Sequence, residues 1–301
     1  MSIIGKALFD ADVFGETDEL GVAMVTVLGH SSYVLSNLFS APLNWPTKRN
    51  RKTKQAIAVL RERMRQMIEE RRANPEKRND FLSILLRAQA EDGSQMSDEQ
   101  AIDESLTLFG AGHETTATAL AWTWYAMTQH PEVYRRVQAE IDSVLRGRSP
   151  TYADLIHLPY CLQVFKETLR LYPPAYMVSR NALHDIELDG YQVHKGETVG
   201  IPVYTLHRRP DYYPDPEQFN PERFTPEREK LLPRYAYMPF GAGPRICIGN
   251  HFAMMEGHLL LATLAQRVSF ELVPGQDIVS DPQKTITIRP KNGVKVVVHK
   301  R

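Results

Sequence analysis

The sequence predicts a mainly α-helical fold with a small β portion, and three observations carry that reading. Apolar residues recur at helical spacing in several long stretches. Short alternating runs with Asp189-Gly190 and Lys195-Gly196 turns fill residues 180–203, and further short strands close the chain. A proline-rich irregular segment over 210–239 leads into one glycine-punctuated loop before a final long helix. With 301 residues and 43% apolar content, the chain can bury a sizeable core.

In chain order, residues 1–40 read as two apolar helical segments around a polar turn at Gly15-Glu16-Thr17-Asp18. Ala41-Pro42-Leu43-Asn44-Trp45-Pro46 breaks that pattern. From Arg49 to Glu70 an amphipathic helix is expected, with Ile57, Leu60, Met64, Met67 and Ile68 inward and arginines on a solvated face. A polar turn over 74–79 precedes a short helix from Asp80 to Ala90. Ser97 and Gln100 form a capping-box pattern, and the helix they open runs to His130, where Pro131 stops it. At about 1.5 Å per residue that helix spans roughly 50 Å. Helices follow over 131–145 and 160–171, the second ended by Pro173-Pro174. Val268–Leu272, Thr285–Ile288 and Val294–His299 read as terminal strands.

Charge and cysteine content exclude several classes. Lys plus Arg and Asp plus Glu are 36 each, so no nucleic-acid partner is expected. Two cysteines allow at most one disulfide, which points to a reducing, cytoplasmic setting. No apolar run reaches membrane-spanning length, and the first residues lack the regions of a signal peptide.

The chemistry concentrates in Phe240-Gly241-Ala242-Gly243-Pro244-Arg245-Ile246-Cys247-Ile248-Gly249. A helix starting at Asn250 directs its positive end toward the Cys247 sulfur and favours thiolate, and Arg245 adds a second positive charge. Glycines permit the close backbone approach that a flat, bulky ligand needs. A lone cysteine is otherwise a small core residue, which is the reading for Cys161. Two further patterns are weaker alone. Ala111-Gly112-His113-Glu114-Thr115-Thr116 interrupts a long helix with small and β-branched residues, which by itself reads as a helix bend. Glu167 and Arg170 share a helix face, a pairing worth only about 0.2–0.5 kcal/mol on a surface.

Taken together these stretches resemble the cytochrome P450 family. The pattern F-G-x-G-x-R-x-C-x-G resembles its cysteine-ligand loop, Ala111–Thr116 its oxygen-helix signature, Glu167-x-x-Arg170 its E-x-x-R element, and Pro221-Glu222-Arg223-Phe224 its P-E-R-F segment. The order along the chain agrees as well. The resemblance implies haem b with Cys247 as the iron ligand, Thr115 and Glu114 managing protons, and Arg245 and Arg180 on the propionates. It also implies Phe240, Gly241, Gly249, Ala253, Ala111 and Gly112 as cofactor-binding positions. Glu167, Arg170 and Arg223 are implied as a structural triad, with His113 a spacer. Ala175, Tyr176, Met177 and, with Thr285, Ile286 are implied to face substrate.

The fold implied is a P450-like haem domain over residues 1–301, lacking about the N-terminal third of the family. The activity implied is monooxygenation: one atom of O2 enters an apolar molecule, with electrons from a ferredoxin or flavin reductase. Thiolate ligation favours O–O cleavage, which suits that chemistry. Two alternatives stand beside it. One is a peroxide-using or isomerising enzyme, and the other a catalytically silent, truncated remnant unable to enclose haem.

Overall fold

A computed structural model describes residues 2–10, 18–37, 39–74, 80–89, 93–280 and 287–301. The chain forms two compact units, one within residues 1–114 and one within 115–282 and 287–301.

The first unit holds helices α1 (Ser2–Phe9), α2 (Asp18–Ser36), α3 (Lys48–Ala73) and α4 (Phe81–Arg87), and the first half of α5 (Asp98–Gln129). Caps set the helix starts. The Thr47 hydroxyl accepts the Asn50 N–H at 3.1 Å to open α3, and Asp80 accepts the Ser83 N–H at 2.8 Å to open α4. The capping box of α5 is present: Ser97 N–H donates to Gln100 Oε1 at 3.0 Å and Gln100 N–H donates to Ser97 Oγ at 3.3 Å.

Two details differ from the sequence expectation. The buried stripe of α3 is Thr53, Ala56, Leu60, Met64, Met67, Ile68 and Arg71, so Ala56 rather than Ile57 faces inward at that turn. The arginine face is also less free than expected. Arg61 pairs with Glu99 and Asp103, Arg72 with Asp98, and buried Arg71 with Asp80 at 2.6 Å. Burial of the Asp80 carboxyl opposes ionisation, but hydrogen bonds from Arg71 and Ser83 outweigh it and lower its pKa. Helix α5 stays helical through its small residues. A Cβ at Gly110 would lie 3.4 Å from Met24 Sδ, and one at Gly112 would lie 2.7 Å from Ile4 Cδ1. These glycines therefore let α2 and α1 pack closely on α5.

The second unit packs the C-terminal half of α5 with α6 (Pro131–Leu145) and α7 (Pro159–Leu171). Strands β1 (Val178–Asn181), β2 (Ile186–Leu188), β3 (Tyr191–Val193) and β4 (Thr198–Ile201) follow, then the short helices α8 (Val203–Leu206) and α9 (Pro226–Glu229). Helix α10 (Asn250–Arg267) and strands β5 (Val268–Leu272) and β6 (Val296–Lys300) complete the unit. Its core includes Trp124, Met127, Val137, Ile141, Val164, Phe165, Leu169, Leu261 and Ala265. A Cβ at Gly257 would sit 2.2 Å from the Phe165 ring, so α10 crosses α7 closer than any side chain there would allow.

Among the described residues the β portion is three antiparallel pairs: β1 with β4, β2 with β3, and β5 with β6. The β2–β3 hairpin turns at Asp189 (φ 48°) and Gly190 (φ 83°), left-handed conformations that Asp-Gly supports. Thr285 and Ile286 lie outside the described residues. Ile288 belongs to no named strand, but its N–H donates to Pro174 O at 3.0 Å and its carbonyl accepts Trp122 Nε1–H at 2.8 Å. Among the described residues no helix is long and apolar enough to cross a membrane.

Candidate active site

The cysteine loop is built by backbone geometry. Gly241 and Gly243 take φ of 71° and 73°, the left-handed region that side chains disfavour. The Cys247 N–H donates to Phe240 O at 2.9 Å, Ile246 N–H to Gly243 O at 3.0 Å, and Gly241 N–H to Met238 O at 3.0 Å. A Cβ on Gly241 would lie 3.9 Å from Val178 Cγ1, so the loop rests on β1, the strand that carries Arg180.

Helix α10 starts at Asn250 as its pattern predicts, with Ala253 N–H donating to Gly249 O at 2.8 Å. A Cβ on Gly249 would meet Cys247 Sγ at 3.9 Å, which places the sulfur beside the start of this helix.

The loop's side chains are left open. Cys247 is an exposed free thiol, whereas Cys161 is buried and desolvation drives its thiol pKa well upward. Ile246 is 49% and Ile248 79% exposed on either side of Cys247. The Arg245 guanidinium has no partner among the described residues. Among the described residues, Arg180 donates only to the adjacent Ser179 carbonyl, at 2.7 Å, and meets no carboxylate.

This donor set fits haem. A soft sulfur suits iron, apolar flanks suit a macrocycle face, and two uncommitted guanidiniums suit two propionates. Ala175 and Met177 are exposed and Tyr176 half-buried just beyond Pro174, with Met177 Sδ 3.5 Å from where a Gly200 Cβ would lie.

Behind the loop lies a fully buried polar node. Glu167 and Arg170 are both 0% exposed, and Arg170 donates from Nε to Glu167 Oε2 at 2.7 Å and from Nη2 to Oε1 at 2.8 Å. Its remaining donors reach the carbonyls of His207 (2.9 Å), Pro216 (2.7 Å) and Gln218 (3.1 Å). The Asn220 N–H completes Glu167 at 2.8 Å. Burial pushes the Glu167 carboxyl up while the Arg170 bonds oppose it. Arg223 joins more loosely. Its Nε lies 3.5 Å from Glu167 Oε1 without a hydrogen bond, and its Nη2 donates to Asp215 O at 2.8 Å.

Two residues of the site drew no attention in the sequence. His207, fully buried, takes the Met238 N–H on Nε2 at 2.9 Å, and burial lowers its pKa to about 4. Nothing in His207-Arg208-Arg209 signals this locally. Glu256 on α10 is pushed up in pKa by burial and opposed by a hydrogen bond with the Thr116 hydroxyl, while its Oε2 is buried without a partner. That bond ties α10, three residues past Cys247, to the C-terminal half of α5. The faint signal was a carboxylate at helical spacing inside an apolar stripe. On α5 itself Ala111 is exposed, while Gly112, Glu114 and Thr115 are half-buried. His113 is half-buried as well, and desolvation lowers its pKa.

Residues 1–298 match the family described as Cytochrome P450. Among curated proteins, the chain is 44% identical over 231 residues to cyclooctat-9-en-7-ol 5-monooxygenase of Streptomyces melanosporofaciens, covering 76% of this chain and 50% of that protein. It is 35% identical over 321 residues to Protein LUTEIN DEFICIENT 5, chloroplastic, of Arabidopsis thaliana, covering 100% of this chain and 53% of that one. The chain thus spans about half the length of these relatives. Among solved structures, the cytochrome P450DA heme domain superposes with a TM-score of 0.89 at 29% identity, covering 100% of this chain and 66% of that one. Retinoic acid bound cyanobacterial CYP120A1 gives 0.89 at 31% identity, with 100% and 67% covered.

Proposed function

The chain belongs to the cytochrome P450 family, and from that premise we propose that residues 1–301 form a partial haem domain of a haem-thiolate monooxygenase. The reading places one atom of O2 into an apolar organic molecule, with electrons from a ferredoxin or flavin reductase, in a cytoplasmic setting. The observation that carries it is the exposed Cys247 thiol beside the start of α10, with Arg245 in the same loop and Arg180 on the strand beneath it, neither paired with a carboxylate among the described residues. Bound haem b supplies the oxygen activation, and a thiolate ligand favours O–O cleavage.

The chain's own residues do the rest. Cys247 holds the iron, and Gly249 leaves room beside the sulfur. Arg245 and Arg180 take the propionates through bidentate, permanently charged forks. Phe240, Gly241 and Ala253 present backbone and apolar surface to the macrocycle, and Ala111 and Gly112 keep that part of α5 small. The Thr115 hydroxyl and Glu114 carboxyl hold and pass protons at their side-chain oxygens, a role in which a positioned group contributes roughly 10²–10⁴-fold. Ala175, Tyr176 and Met177 face substrate. Cyclooctat-9-en-7-ol and retinoic acid, named with two similar proteins, are both rich in hydrocarbon and support an apolar substrate here.

Haem titration of the 301-residue chain tests the reading. Stoichiometric binding with a red-shifted band for the reduced, carbon monoxide-treated protein is expected. A chain that stays colourless in excess haem would instead be a silent portion of a P450.

A further inference from the structure

We infer that His207 is a positioning residue for the cysteine loop, linking α7 to the backbone just ahead of Phe240. The inference rests on the haem-thiolate reading for its consequence, but its geometry stands alone. The His207 ring is fully buried. Its Nδ1 lies 3.2 Å from Arg170 O, and its Nε2 lies 2.9 Å from the Met238 amide nitrogen. A carbonyl only accepts and an amide N–H only donates, so the two partners require hydrogen on Nδ1 and a lone pair on Nε2. A ring protonated at both nitrogens would point Nε2–H at the Met238 N–H.

The link is reciprocal on the α7 side, because the Arg170 guanidinium donates to the His207 carbonyl at 2.9 Å. Tyr237 stacks on the ring at 5.4 Å and donates its hydroxyl to Lys166 O at 3.1 Å, so the segment is fastened to α7 twice. From Met238 the bonds continue toward the sulfur. Met238 O accepts Gly241 N–H, and Phe240 O accepts Cys247 N–H. An unbroken hydrogen-bonded and covalent path therefore runs from buried Glu167 through Arg170 and His207 to the cysteine amide. Met238 has the one amide of this path that takes its acceptor from a side chain, and that acceptor is His207. Burial first, then the Arg170 and Arg208 guanidiniums, disfavour protonation of the ring, on which the Tyr237 phenol stacks.

Three variants of the full chain separate this role from general packing. His207→Gln keeps an acceptor near the Nε2 position, His207→Asn keeps a donor near Nδ1 only, and His207→Ala keeps neither. In haem-free protein, amide exchange at Met238 and Cys247 should be roughly tenfold or more faster in the Asn variant than in the Gln variant, as expected when a buried amide loses its acceptor. In haem-loaded protein at equal haem content, wild type and Gln should keep the red-shifted carbonyl band, and Asn should shift it to shorter wavelength. If Gln and Asn exchange alike and show the same band, the inference is overturned. It is equally overturned if band position follows melting temperature across the variants regardless of side chain. If Ala does not fold, the Gln and Asn pair still decides. Wild type lacking the red-shifted band would instead sink the haem-thiolate reading, leaving the exchange measurement to decide His207.

Discussion

The Cys247 loop and the Glu167–Arg170–His207 node lie in the same compact unit and are built on opposite principles. In the node, Glu167 and Arg170 have no solvent exposure, and the donors of Arg170 all find acceptors. In the loop, the backbone is tied at Phe240, Gly243 and Met238, while Cys247, Arg245, Ile246 and Ile248 present their side chains to the outside. Saturated polar groups hold a backbone in place, and unsaturated ones at its tip bind what the protein itself does not supply. Under the proposed function, the contrast separates residues that position from residues that react.

The largest expected effect falls on the reactive side. Cys247→Ala should abolish the red-shifted band of the reduced, carbon monoxide-treated protein while urea unfolding of the haem-free chain hardly changes, since the thiol is exposed. A persistent band would remove Cys247 as ligand. Next comes the node. Arg170→Ala strips the buried Glu167 carboxylate of both direct ion-pair hydrogen bonds, leaving only the Asn220 N–H and the looser Arg223, and should cost about 3–5 kcal/mol in denaturant unfolding. A loss under about 1 kcal/mol would place the pair in the ordinary surface range.

Arg223→Ala should cost less than Arg170→Ala, on the order of 1.5–3 kcal/mol for its charged hydrogen bond to Asp215 and its looser pairing with Glu167. Haem retention, followed by transfer to an acceptor protein, should weaken before substrate preference changes. Retention equal to wild type would exclude the triad role.

Acid sharpens the comparison further. His207 and His258 have pKa values lowered by burial from 6.5 to about 4. The unfolded chain takes up their protons first, so their stabilising contribution is full above about 6.5 and is lost as pH falls toward 4. Each should contribute a slope of roughly 1.4 kcal/mol per pH unit in that window, read from urea midpoints across pH. A profile between 6.5 and 4 that is unchanged in the His207→Gln variant would show that this ring titrates normally. The smallest effect should be Thr116→Val, which removes the hydroxyl partner of the half-satisfied Glu256 and should cost about 1–3 kcal/mol at neutral pH.

Much of this was readable along the chain. The start of α5 rests on Ser97 and Gln100, that of α10 on the glycine before Asn250, and the β2–β3 hairpin on Asp189-Gly190, each a signal within a few residues. The open cysteine loop was legible for the same reason, because glycines, a cysteine and an arginine at fixed spacing are local chemistry. Less legible was which face of α3 points inward. Ala56 won over Ile57 because the stripe is set by what α2 and α4 present, not by the hydrophobicity of α3 alone.

The sequence by itself determined the helical class, the capped starts of α5 and α10 and the glycine-built cysteine loop, since these follow from short-range periodicity, capping and backbone permissiveness. Only the tertiary structure decided the worth of the polar groups. Glu167 and Arg170 read as a surface pair of small value until α7 is buried, whereupon the same pair becomes a costly node to break. His207 has no local signal at all, and its tautomer is chosen by Arg170 and Met238, 37 and 31 residues away. Burial and hydrogen-bond partnership are properties of the packed chain, and those two quantities set the energy of a polar side chain.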